Sequence, residues 1–162
     1  MTVTRELNKL VFAIGKRYGT FDPFRWADKL NVQIYWKEVA EKPLAETLYY
    51  GDTPIIMMSN AIRYSNQRYF VLAHELCHVI EQDGLTAYYS SNMRFKDKSE
   101  NSADEFAMTV VTNLYIEEHG CLPNTSQDLR YNYGLPDLNI DCFNLKTCPN
   151  TDDTKSWLIY LL

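Results

Sequence analysis

Residues 74–78 read His-Glu-Leu-Cys-His inside a segment whose apolar residues recur with a helical period. Leu72, Ala73, Leu76, Val79 and Ile80 fall on one side of a helix spanning residues 66–82. Ser65 serves as its cap, and Asp83-Gly84 closes it. His74 and His78, four residues apart, leave on the side opposite that stripe, with Glu75 on their flank. Two neutral imidazoles at this spacing bind Zn²⁺, and a glutamate between them can act as a general base. The competing reading is an ordinary polar face on an amphipathic helix. Histidine usage weighs against it, because the chain has three histidines and two of them stand here.

The rest of the composition narrows the class. A chain of 162 residues with 46% hydrophobic and 14% aromatic content is large enough for one domain with a real core. A net charge of −5 argues against direct nucleic-acid binding, which needs clustered Lys and Arg. No segment has the length of a membrane span, so no membrane partner is expected. The opening MTVTRELNKLVFAIGKRYG has a short apolar stretch and no small-residue cleavage site, so a cytoplasmic location is expected. Cys77, Cys121, Cys142 and Cys148 are then reduced thiols, and the last two are too far apart for a zinc-knuckle pair.

Around the motif the pattern predicts an α+β fold, with a small antiparallel sheet packed on helices, as a single domain over residues 1–162. Residues 4–18 form a helix with Leu7, Leu10, Val11, Ile14 and Tyr18 on one stripe. Asp22-Pro23 opens a short helix to Leu30. Val32 to Lys37 alternates as a strand, and Leu48–Tyr50 with Ile55–Met58 flank a Gly51-Asp52 turn. Pro54 means that the second arm of this hairpin either is an edge or begins there. Residues 85–99 are polar, tyrosine-bearing and aperiodic, as in a functional loop. Ser99 caps a second long helix from Glu100 to about Glu118. The tail, residues 118–162, shows turn signals and an apolar end, Trp157–Leu162, with no assigned motif.

Two histidines do not complete a catalytic zinc site, which commonly takes three protein ligands and keeps a position for water. A metzincin continuation is excluded, since Glu81 and Gly84 stand where it requires glycine and histidine. Glu100 is the better third ligand, and His119, at the far end of the same helix, is the other. Asp104, one turn beyond Glu100, can accept the outer N–H of a histidine and fix its tautomer. Tyr64, Tyr88, Tyr89 and His119 are candidate donors to an oxyanion. Cys77 reads as a small buried residue, with a fourth metal ligand as the rival reading.

The run Arg68-Tyr69-Phe70-Val71-Leu72-Ala73-His74-Glu75-Leu76-Cys77-His78, followed by Glu100-Asn101-Ser102-Ala103-Asp104-Glu105-Phe106-Ala107, resembles the ImmA/IrrE family of metallopeptidases. Tyr18-Gly19-Thr20, Asp22-Pro23-Phe24 and the stretch IIMMSNAI before the motif helix resemble it more loosely, so that the likeness covers roughly residues 5–118. It implies a small gluzincin-like fold with zinc held by His74, His78 and Glu100 and with Glu75 catalytic. It also implies a protein substrate, a repressor with a helix-turn-helix domain, and a phage, mobile-element or stress-response setting. This chain departs from the family at Cys77, where glycine is usual. It departs again after Ala107, where Met108-Thr109-Val110-Val111 replaces a Leu-Leu-Met-Pro type ending. Two function classes follow: a zinc endopeptidase, and a non-catalytic zinc-containing module that sequesters a partner, as in a toxin–antitoxin or anti-repressor pair. Retention of Glu75 favours the first, because a structural zinc site has no use for a base.

Overall fold

The computed structural model describes residues 2–38, 42–82 and 100–137. The chain enters through helix α1 (Thr2–Tyr18), which buries Leu7, Leu10, Val11 and Ile14. Gly19 ends it with φ of +72°, a backbone state that costs glycine little, and its N–H returns to the Gly15 carbonyl at 2.8 Å. Helix α2 (Pro23–Lys29) is opened by Asp22, whose Oδ1 accepts the Phe24 N–H at 2.9 Å. This short helix carries Trp26 into the core. The indole is fully buried, yet its Nε1–H is satisfied by the Thr20 carbonyl at 2.6 Å.

Three strands follow: β1 (Gln33–Lys37), β2 (Ala45–Tyr50) and β3 (Thr53–Ser59). Their order is β1-β3-β2. β2 and β3 form the hairpin that Gly51-Asp52 predicts. β1 runs parallel to β3, with Gln33 opposite Ile55 and Lys37 opposite Ser59, so the sheet is mixed where an all-antiparallel one was expected. Alternation of apolar and polar residues marks a strand but carries no information on the direction of its neighbour. Pro54 consequently lies in the central strand and not in an edge. It is tolerated because it stands at the start of β3, one residue before the pairing with β1 begins. Ile56 and Met58, on the inner face of β3, are fully buried.

A 3-10 turn (Asn60–Ile62) leads into the motif helix α3 (Gln67–Gln82), where Ser65 Oγ accepts the Gln67 N–H at 3.2 Å. Helix α4 (Glu100–His119) packs along α3, and a further helix α5 (Ser126–Tyr133) closes on both. In the region of α5 the sequence shows only turn signals. Asn124-Thr125 is in fact its cap, with Asp128 Oδ2 accepting both backbone N–H groups, at 2.8 and 3.1 Å. Leu72, Ala73, Leu76, Val79 and Ile80 of α3, with Phe106, Ala107 and Val110 of α4, meet Trp26 and the inner sheet face in one core. Each large apolar side chain buried there contributes about 1.5–3 kcal/mol. The expectations for residues 85–99, for the apolar end Trp157–Leu162 and for Cys142 and Cys148 fall outside the described residues. No helix among the described residues is long and apolar enough to cross a membrane.

Candidate metal centre

Because α3 commits its apolar stripe to the core, both imidazoles emerge on its opposite, partly exposed side, and His74 lines a cleft there. The His74 and His78 side chains are 16% and 22% exposed, and their ring centroids are 5.2 Å apart. Packing of α4 against α3 brings the first turn of α4 to the same place. Glu100 Oε2 lies 3.1 Å from His74 Nε2, and Oε1 lies 3.6 Å from His78 Nε2. One ligand atom from each of these three residues lies within 4.8 Å of the others, a grouping able to hold a metal ion. Asp104, one turn further along α4, has Oδ1 2.8 Å from His74 Nδ1.

The chemistry of this donor set fits a cation. His74 has a carboxylate at each ring nitrogen, whereas a neutral imidazole carries one N–H and one lone pair. Assigning the N–H to Nδ1, where Asp104 accepts it, turns the Nε2 lone pair toward Glu100. Lone pair and carboxylate repel unless a positive charge stands between them. A proton on Nε2 would remove that conflict, and so would a divalent ion, which His74, His78 and Glu100 would hold. Two imidazoles and one carboxylate are a donor set typical of catalytic zinc.

Glu75 occupies the other side of the motif. Its residue is 9% exposed, and its Oε2 accepts a hydrogen bond from Thr47 Oγ1 of strand β2 at 2.5 Å. Glu75 also lines a cleft of about 530 Å³, together with His74, Glu100, Lys42, Pro43, Leu44, Ala45, Phe70 and Val71. Glu75 therefore lines the same cleft as two of the three clustered residues, His74 and Glu100. Nothing in the sequence marked Thr47, a lone threonine 28 residues before Glu75, since its position depends on how the hairpin packs across α3.

The remaining candidates are placed elsewhere. Cys77 is 2% exposed, and its thiol is directed at Glu81 Oε1, 3.9 Å away. Burial, reinforced by the Glu81 carboxylate, pushes this thiol far above its ordinary range. It stands apart from the His74–His78–Glu100 cluster, which fits the small buried residue and not a fourth ligand. His119 is stacked on Tyr115 with centroids 4.0 Å apart and donates from Nδ1 to the Tyr115 carbonyl at 3.0 Å, and it stands outside the His74–His78–Glu100 cluster. Tyr64 is 88% exposed and lies outside the set of residues lining the cleft. Tyr88 and Tyr89 lie outside the described residues.

A motif helix carrying His-Glu-x-x-His, a following helix that brings a carboxylate to both imidazoles, and a small sheet flanking the cleft define a zincin-like architecture. The sequence matches the IrrE N-terminal-like domain, Peptidase_M78, over residues 27–116, more than half of the chain, and the protein belongs to that family. Membership points to a metallopeptidase. No curated protein and no solved structure matches the chain.

Proposed function

We propose that this chain is a zinc-dependent endopeptidase that cleaves a protein partner, a repressor with a helix-turn-helix domain. The observation that carries the reading is the convergence of His74, His78 and Glu100 within 4.8 Å, with His74 and Glu100 lining a cleft that Glu75 also lines. Zinc is the ion proposed, because two imidazoles and a carboxylate suit it better than the hard, all-oxygen sets of magnesium or calcium. Bound there, zinc supplies Lewis acidity, which lowers the pKa of water toward neutrality and polarises a carbonyl.

The chain's own residues do the rest. His74, His78 and Glu100 hold the ion, and Asp104 fixes the His74 ring with Nε2 turned inward. Glu75 takes a proton from the attacking water and later gives it to the leaving amine. Its Oε2 is engaged by Thr47, so Oε1 is the oxygen left for that transfer. Leu44, Ala45, Phe70 and Val71 give the cleft an apolar wall. Among the described residues β2 beside it is an edge strand, with β3 as its neighbour on one side. An edge strand offers main-chain groups to an extended peptide, which supports a polypeptide substrate over a small molecule.

The test is incubation of the purified, zinc-loaded chain with the repressor encoded beside it, with and without chelator. Cleavage that chelator and Glu75→Gln each abolish supports the peptidase. Stable binding of the repressor without cleavage, unchanged in Glu75→Gln, supports the sequestering module instead.

A further inference from the structure

We infer that Thr47 is a positioning residue for Glu75, fixing which carboxylate oxygen faces the cleft; this rests on the peptidase reading of the site. Glu75 sits on a helix, on a side chain with three rotatable bonds. The helix alone does not choose among its rotamers. The hydrogen bond from Thr47 Oγ1 to Oε2, 2.5 Å long, reaches across from the β-hairpin to a carboxylate that is 9% exposed. Hydrogen bonds to a charged, poorly hydrated acceptor are short and strong.

The strand supplies Thr47 for definite reasons. Ala45 and Thr47 point to the same side of β2, toward α3, while Glu46, Leu48 and Tyr50 point away. Ala45 is buried and forms part of the cleft wall, and Thr47 is half-buried. Its register is fixed by pairing with Ile56, a fully buried residue of the central strand. A slip of β2 by one residue would turn the hydroxyl, and Ala45 with it, to the outer face. The β-branched side chain has few χ1 states, so the strand holds its hydroxyl in place with little loss of entropy. The effect is to occupy Oε2 and hold Oε1 toward the reacting centre. Placing the proton acceptor is worth a large factor in rate, because small misalignments are heavily penalised.

The test uses the zinc-loaded full chain and a mixed-sequence pool of quenched-fluorescent peptides, with individual peptides that wild type cleaves taken forward. Thr47→Val keeps the shape and removes the hydroxyl; Thr47→Ser keeps the hydroxyl. The expected result is a drop in kcat of about 10- to 100-fold for Thr47→Val, with KM within about twofold and zinc content unchanged. Thr47→Ser restores kcat to within about threefold, and Thr47→Val adds no further loss on a Glu75→Gln background. Crystal structures of the zinc-loaded variants give a readout free of turnover. Glu75 should leave its wild-type rotamer in Thr47→Val and keep it in Thr47→Ser. Unchanged kcat, or a Glu75 carboxylate unmoved in Thr47→Val, overturns the positioning role while leaving the peptidase reading intact. If wild type cleaves no peptide of the pool, the rotamer comparison decides what Thr47 does, and the repressor assay decides the peptidase reading.

Discussion

Asp104 Oδ1 lies 2.8 Å from Nδ1 of His74, which directs Nε2 of the same ring at Glu100. The contact spans two helices and sets the orientation of a proposed ligand without touching the ion. Replacing Asp104 by Ala removes the acceptor that fixes the tautomer. Zinc affinity should fall by roughly 10- to 100-fold, the usual cost of losing such a partner. Competition with a chromophoric chelator measures it, and Asp104→Asn, whose amide oxygen can still accept, should lose less.

Glu100→Ala and Glu105→Ala separate a ligand from a neighbour of the same charge on the same helix. Glu100 is 78% exposed and contacts both imidazoles, whereas Glu105 belongs to no such grouping. Zinc affinity should fall by more than about 100-fold in Glu100→Ala, beyond what outer partners contribute, and stay near wild type in Glu105→Ala. Elemental analysis after dialysis checks this, and equal loss in both would reassign the ligand.

Glu75→Gln should retain zinc and lose roughly 10²- to 10⁴-fold in cleavage rate, the span typical of a general base. The amide preserves size and can still accept from Thr47 but cannot take a proton. Undiminished cleavage would move the base elsewhere.

Cys77 should resist alkylation in the native fold. Burial raises its pKa, so the thiol stays protonated at neutral pH, and iodoacetamide reacts with thiolate. Cys121 is exposed and should label first. Peptide mapping by mass spectrometry after brief labelling distinguishes the two, and rapid modification of Cys77 would contradict its placement in the core.

Gly134→Ala should destabilise the fold by about 2–4 kcal/mol. Gly134 has φ of +66°, and a Cβ there would come 2.3 Å from the Gln67 Cα, at the start of the motif helix. The neighbour is backbone and cannot swing aside. Urea unfolding followed by circular dichroism gives the value.

Much of this architecture is legible in the chain itself, and the parts that are not share a cause. The motif helix announces itself because Leu72, Leu76, Val79 and Ile80 repeat with its period, and all four are buried as that period requires. Glu100 and Asp104 are recognisable from their spacing on one helical face, and the structure brings both to His74. The parallel pairing of β1 with β3 has no local signature, because register and direction are set by long-range packing. Helix α5 has no such signature because its eight residues, SQDLRYNY, bury only Leu129 and Tyr133, too few to show a period. Thr47 was invisible for a related reason. A single hydroxyl in a strand gains meaning only when the hairpin is laid across α3.

The most direct test of the central claim is anomalous diffraction at the zinc edge from crystals of the zinc-loaded protein. The account predicts one zinc peak, within about 2.0–2.2 Å of Nε2 of His74, Nε2 of His78 and a carboxylate oxygen of Glu100. It predicts that the next position in the coordination shell holds a solvent oxygen. A peak away from these residues, or one closed by a fourth side chain of the protein, would contradict it.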